Sequence, residues 1–307
     1  MIKSTALSVL SYVLGGVLFC LSWNLIADVD SAQSRIITLS PNLTELVFSA
    51  GLGDNLVGVS DFSNYPIKAK DLPIISDSNG VNLEFLFSLK PTLILAQQGL
   101  ISQETINKLE MIGLTVVIIN IKTVEELYST LESLSKISPN PKIAEQTLFQ
   151  LTTTINKIDE IGKNSTKGVT AFLELSDNPI LTTNQNSLIH ELLARCQINT
   201  LFADELAPWP IVSKESIVAQ NPSVILISTP TQLLSANTII FEDITYFDNA
   251  TEHTGQKMQS QLTRFYQQYL PNVKLIQLNA DIFSRETPRL VSGVLSVCQY
   301  LQNTSIN

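Results

Sequence analysis

Histidine is nearly missing from this chain of 307 residues, which has only His190 and His253. Neither has a metal-ligand neighbour at helical or hairpin spacing, and His190 sits inside an apolar run, so both read as core or surface histidines and no metal site is expected. Glycine is scarce too, at 12 residues. There is no glycine-rich phosphate loop and no Gly-x-Ser-x-Gly elbow, which removes nucleotide cradles and the hydrolase nucleophile. Lys and Arg are scattered and the net charge is −9. That argues against nucleic acid or anionic lipid as the main partner, because phosphate binding needs clustered positive charge. Carboxylates such as Asp281 and Glu286 occur, but nothing in the sequence sets them at a catalytic distance. The chemistry expected is recognition without a cofactor, and not catalysis.

With 44% hydrophobic residues, the chain can bury one large core or two smaller ones. Lys3 and the apolar stretch Ala6 to Trp23 have the positive head and greasy body of an export signal, almost long enough to span a bilayer. Residues 1–33 are therefore either a cleaved signal or a retained inner-membrane anchor, and in both cases the body lies outside the cytoplasm. The bulky Phe19 before Cys20 argues against lipidation there. That leaves Cys196 and Cys298, an even pair in an oxidising compartment, from which a disulfide is expected. Two buried free thiols are the other reading.

The chain is organised around a helix at its midpoint. Asn140 and Pro141 are start signals, Gly162 supplies a left-handed exit, and Ala144, Leu148, Leu151, Ile155, Ile158 and Ile161 form one apolar stripe. On either side the same pattern repeats. Without gaps, Asn82 meets Ser213, Glu84 meets Glu215, Pro91 meets Pro222, and Leu93-Ile-Leu95 meets Val224-Ile-Leu226. Each copy reads as cap, short helix, proline stop and buried strand. Alternating strands and helices predict an α/β fold of two lobes with mainly parallel sheets, joined by the long helix. The expected boundaries are 34–138 for the N-terminal lobe, 139–163 for the bridging helix and 164–307 for the C-terminal lobe. Residues 229–255 dissolve into a polar surface excursion.

In open parallel sheets ligands sit beyond the carboxyl ends of strands, so two facing lobes would make a cleft there. The loops leaving the strands supply Phe62 and Tyr65, Gln97 and Gln98, Leu181, Trp209, and Asp281 with Arg285. Trp209 between two prolines suits a rigid flat wall for a planar ligand. The loop Ser176 to Asn184 stands as the counterpart of the aromatic loop Asp61 to Pro66.

Arg35-Ile-Ile-Thr-Leu-Ser-Pro-Asn-Leu-Thr-Glu45, Ser63-Asn-Tyr-Pro66, Asn82-Leu-Glu84, Pro208-Trp-Pro210, Ser213-Lys-Glu215 and Arg285-Glu-Thr-Pro-Arg289 resemble the helix-bridged (class III) substrate-binding proteins, in particular those that bind cobalamin. The resemblance covers residues 34 to about 303. It implies capture of a corrinoid and its delivery to the membrane subunits of an ABC importer by a periplasmic monomer. It also implies that Tyr65 and Trp209 pack against the corrin, that Asp281 and Arg285 bond its amide arms, and that Glu84 and Glu215 dock on transporter arginines. Cys196 and Cys298 are similar to a cysteine pair of that family. Ser78, Gln97, Leu181 and Ile282 stand where further aromatic rings would be expected, leaving a siderophore or haem as alternative ligands and a membrane-tethered sensor as an alternative role.

Overall fold

The computed structural model describes residues 34–165, 168–230, 240–241, 244–246 and 261–303. These residues pack as two α/β units, one of 34–120 and 128–148, the other of 121–127 and 149–303.

The first unit is built from strands β1 (Ile36–Thr38), β2 (Leu56–Ser60), β3 (Ile74–Asp77), β4 (Gly80–Val81), β5 (Leu93–Gln97) and β6 (Thr115–Ile119), in the order β4-β3-β2-β1-β5-β6. All neighbours are parallel except the β3–β4 hairpin. Helices α1 (Pro41–Ser49), α2 (Leu83–Ser88) and α3 (Gln103–Met111) make the crossovers. Near-continuous apolar strands mean both faces are covered. On one face Ile37, Ile94 and Val116 meet Leu86 of α2 and Leu109 of α3.

The second unit repeats this plan. After α4 (Val124–Lys136) and α5 (Pro141–Asn164) come β7 (Val169–Glu174), the hairpin β8 (Ser176–Asp177) and β9 (Ile180–Leu181), and α6 (Leu188–Arg195). β10 (Ile198–Thr200), α7 (Lys214–Gln220) and β11 (Val224–Thr229) follow. β12 (Ile240–Phe241), β13 (Ile244–Tyr246), α8 (Gln261–Tyr269), β14 (Lys274–Asn279), α9 (Ala280–Phe283) and α10 (Pro288–Asn303) complete it. The sheet order is β10-β7-β11-β14-β13-β12. Its parallel core β10-β7-β11-β14 matches β2-β1-β5-β6 strand for strand. The expected surface excursion contributes β13, antiparallel to β14, and β12, antiparallel to β13; residues 231–239, 242–243 and 247–260 lie outside the described residues.

The echo read from the sequence extends to the backbone. Asn82 Oδ1 accepts from Phe85 N and Ser213 Oγ from Ser216 N, at 3.0 and 3.1 Å. Lys90 and Asn221, at the same point of each copy, both exit their helix with positive φ, 49° and 44°. A following proline disfavours the right-handed region for the residue before it, so each chain escapes through the left-handed one.

The central helix α5 runs 24 residues, about 36 Å, and α4 and α5 each have residues in both units. Gly162 does not end it. The helix continues to Asn164, and a Cβ at 162 would run into the Arg195 carbonyl oxygen at the end of α6. The glycine is there because two backbones meet, and the left-handed exit expected of it does not occur. Beside this crossing the Arg195 guanidinium takes Asp159 of α5 through Nη1 at 3.1 Å and Glu191 through Nη2 at 2.8 Å. Glu191 Oε2 in turn accepts from Val124 N at 2.9 Å, closing off the start of α4. Next in sequence, Cys196 is bonded to Cys298 of α10 as expected. Residues 1–33 lie outside the described residues, among which no helix is long and apolar enough to cross a membrane.

Candidate functional site

In the first unit the predicted residues gather at the carboxyl ends of the parallel strands. The strand order changes direction between β1 and β5, the switch point at which such sheets hold ligands. Gln97 is the last residue of β5. Phe62 and Tyr65 lie on the loop leaving β2 and are 69% and 46% exposed. Phe62 has φ 61°, a left-handed conformation that costs a non-glycine residue about 1–2 kcal/mol. A buried chain of hydroxyls anchors this loop. Thr38 Oγ1 lies 2.7 Å from Thr44 Oγ1, which lies 2.9 Å from Ser63 Oγ, itself 3.1 Å from Ser60 Oγ. The loop is therefore fixed beneath while its rings face solvent. Ser78 lies in the β3–β4 turn.

In the second unit Leu175, Leu181, Ser187, Trp209, Phe283 and Arg285 line a cavity of about 170 Å³, with Glu286 on its wall. The lining is mostly apolar, so a ligand gains by burying flat hydrocarbon there. Trp209 is 54% exposed, so its indole is not part of the core. Arg285 is almost wholly buried and donates through Nη2 to Asp281 Oδ1 at 2.9 Å. The carboxylate compensates the guanidinium and fixes its plane. Ile282, by contrast, is fully buried and faces the core.

Topology corrects one pairing. β7 corresponds to β1 and β10 to β2, so the partner of the Phe62–Tyr65 loop is the loop after β10, which carries Trp209. It is not Ser176 to Asn184. Both loops open alike: Phe62 and Phe202, two residues past their strands, have φ 61° and 64°. Phe202 differs in turning inward, edge-on to Phe172 at 5.9 Å.

Asn184, 1% exposed, supports the Trp209 loop. Its Nδ2 donates to Glu205 O and to Ala207 O, each at 3.0 Å, and its Oδ1 accepts from Asn186 N at 2.9 Å. The sequence reading assigned no role to this residue or to Ser187, and Glu286 stood out there only as a carboxylate near Asp281.

Glu174, at the carboxyl end of β7, is 3% exposed. It lies in register with Ile227 and Gln277 across β7-β11-β14. Burial pushes its carboxyl up to about 7; the neighbouring Tyr266 phenol opposes that shift and Asp177 adds to it. Yet neither Glu174 Oε2 nor Tyr266 Oη reaches a partner in good hydrogen-bonding geometry. The same burial, with Glu174 nearby, raises the Tyr266 phenol far above its ordinary range. His190 is half-buried, with Nδ1 2.6 Å from Thr200 Oγ1, and desolvation lowers its titration. No group of residues among those described could hold a metal ion. His253 lies outside them.

Glu84 and Glu215 are exposed, each in the first turn of its short capped helix, α2 or α7.

Comparison with known proteins places these features. The periplasmic binding protein profile matches residues 36–256. A vitamin B12-binding protein of Yersinia pestis (strain Pestoides F) is 32% identical over 273 residues, 88% of this chain and 87% of that one. The chain belongs to the periplasmic binding protein family. Within the family, the crystal structure of the periplasmic vitamin B12 binding protein BtuF of Vibrio cholerae superposes with TM-score 0.71 at 30% identity, covering 88% of this chain and 96% of that one. The heme-binding protein RhuT from Roseiflexus, at TM-score 0.64 and 18% identity over 87% and 97%, shares the fold alone. The α/β architecture is thus the class III periplasmic binding protein fold, and proteins of this family bind their substrates without transforming them.

Proposed function

We propose that this protein captures a corrinoid of the cobalamin type in the periplasm and delivers it to the membrane subunits of an ABC importer. The observation that carries the reading is the apolar cavity with Trp209 on one wall and the Asp281-paired Arg285 on another. A corrin is broad, flat and fringed with amides. An indole face suits its plane, and a buried guanidinium held by a carboxylate sets a fixed positive charge beside amide oxygens. Tyr65, Phe62 and Gln97, at the carboxyl ends of the first unit's strands, supply the remaining contacts. The similarity to vitamin B12-binding proteins supports the same ligand.

Glu84 and Glu215 dock the loaded protein. Two exposed carboxylates at equivalent points of a repeat match a pair of basic points on the partner. Residues 1–33 direct export and are then removed or kept as a tether, and the protein works as a monomer.

Isothermal calorimetry on the full chain with cyanocobalamin and cobinamide tests the ligand. Saturable binding is expected, weakened at least tenfold by Trp209→Ala. The absence of heat at high micromolar ligand, or binding of hemin or a ferric siderophore instead, refutes it. Glu84→Lys with Glu215→Lys is expected to abolish uptake in cells and leave calorimetry unchanged; unaltered uptake refutes the docking role.

A further inference from the structure

We infer that Asn184 is the positioning residue for Trp209, setting the indole as a wall before any ligand arrives. The inference rests on the proposed function only for what the wall faces.

Among the described residues, no backbone hydrogen bond joins two residues of the loop Glu205 to Val212. Pro208 and Pro210 have no amide N–H, so this stretch has few donors of its own for its carbonyls. Two carbonyls before Trp209, those of Glu205 and Ala207, are met by one nitrogen, Asn184 Nδ2, at 3.0 Å each. On the other side of the indole, Thr182 N donates to Pro210 O at 3.2 Å and Val212 N to Ile180 O at 3.1 Å. Trp209 is thereby spanned by bonds to a single segment, 180–184.

Asn is the residue type this arrangement calls for. A primary amide presents two N–H donors on one atom and an acceptor beside it. Here both donors serve the Trp209 loop while Oδ1 holds Asn186 N at 2.9 Å. Aspartate would set a carboxylate against two carbonyl oxygens, and serine could meet only one of them. Asn184 is also 1% exposed, so its own amide has to find partners within the fold. A half-exposed indole on a proline-flanked loop has little packing of its own to hold it, so these bonds decide its mobility.

Trp23 and Trp209 are the only tryptophans, so Trp23→Phe in the full-length chain makes Trp209 the sole indole reporter. In that background, Asn184→Ala is expected to raise acrylamide quenching of Trp209 at least twofold and to shorten its anisotropy decay. Asn184→Asp should do the same, and Asn184→Ser should fall between, which also serves if the alanine variant fails to fold. Thr200→Val, which removes the bond to His190 on α6, is the structural comparator. It is expected to lower Tm without changing Trp209 mobility. Quenching and anisotropy unchanged by Asn184→Ala or Asn184→Asp, or changed as much by Thr200→Val, would overturn the assignment. Cyanocobalamin affinity should fall at least fivefold in Asn184→Ala. Because the mobility arm needs no ligand, a parent that binds no corrinoid would sink the function while this arm still decides the role of Asn184.

Discussion

Gly162 and Arg195 meet backbone to backbone: the α5 helix passes the last carbonyl of α6 with no space for a side-chain carbon. Gly→Ala inside a helix ordinarily stabilises by about 0.5–1 kcal/mol. Here the sign reverses, because the clash is with backbone that cannot swing away. Gly162→Ala is expected to cost about 2 kcal/mol or more, read as a fall in the midpoint of urea unfolding. A gain in stability would show that the two helices separate easily.

Cys196 and Cys298 close a loop of 102 residues. Removing that constraint from the unfolded chain is worth roughly 2–4 kcal/mol. The double Cys→Ser variant should unfold at correspondingly lower denaturant, and reduction of the parent should reproduce the effect.

Glu174 predicts a pH dependence. Its folded value near 7 lies above the ordinary 4.5, so the folded state holds a proton that the unfolded chain releases between these values. The stability it contributes is complete below about pH 4.5 and is lost as pH rises through 7, by up to about 3 kcal/mol. His190, lowered by desolvation, acts in the opposite sense, losing stability as pH falls. The comparison is therefore between parent and Glu174→Gln, which keeps the shape and cannot titrate. The variant should gain relative to the parent on going from pH 5 to pH 8. An equal difference at both would assign Glu174 an ordinary surface titration.

Leu181 lines the cavity beside Trp209. Leu181→Trp adds a second ring where an aliphatic chain now stands. A stacked ring is worth about 0.5–1.5 kcal/mol beyond buried area, so corrinoid affinity should tighten about three- to tenfold by calorimetry. Weaker binding would indicate that the ligand fills the space up to Leu181.

What could be read from sequence was what local chemistry dictates. Pro141 opens α5, and Pro91 and Pro222 each follow a capped helix, because proline's restraints act on adjacent residues. Trp209 was legible as a loop residue past a strand because its two prolines restrain the backbone next to it. The role of Gly162 was misjudged because a glycine at a helix exit and one at a helix crossing look the same in one dimension. The loop pairing was misjudged because β10 is three residues long, too short to show a periodicity. Glu174 and Asn184 were missed for a different reason: one acid in an apolar strand and one amide in a polar loop gain meaning only from what folds against them.

The division of the chain has a consequence for how it is made. Residues 121–127 belong with the second unit although 128–148 return to the first, so no single cut in the polypeptide releases either unit whole. On the ribosome, Val124 emerges 67 residues ahead of Glu191, the side chain that accepts its amide. The start of α4 must wait, uncapped from that side, until α6 has been synthesised, and a fragment ending before Glu191 would leave that amide without the acceptor on which the finished fold relies.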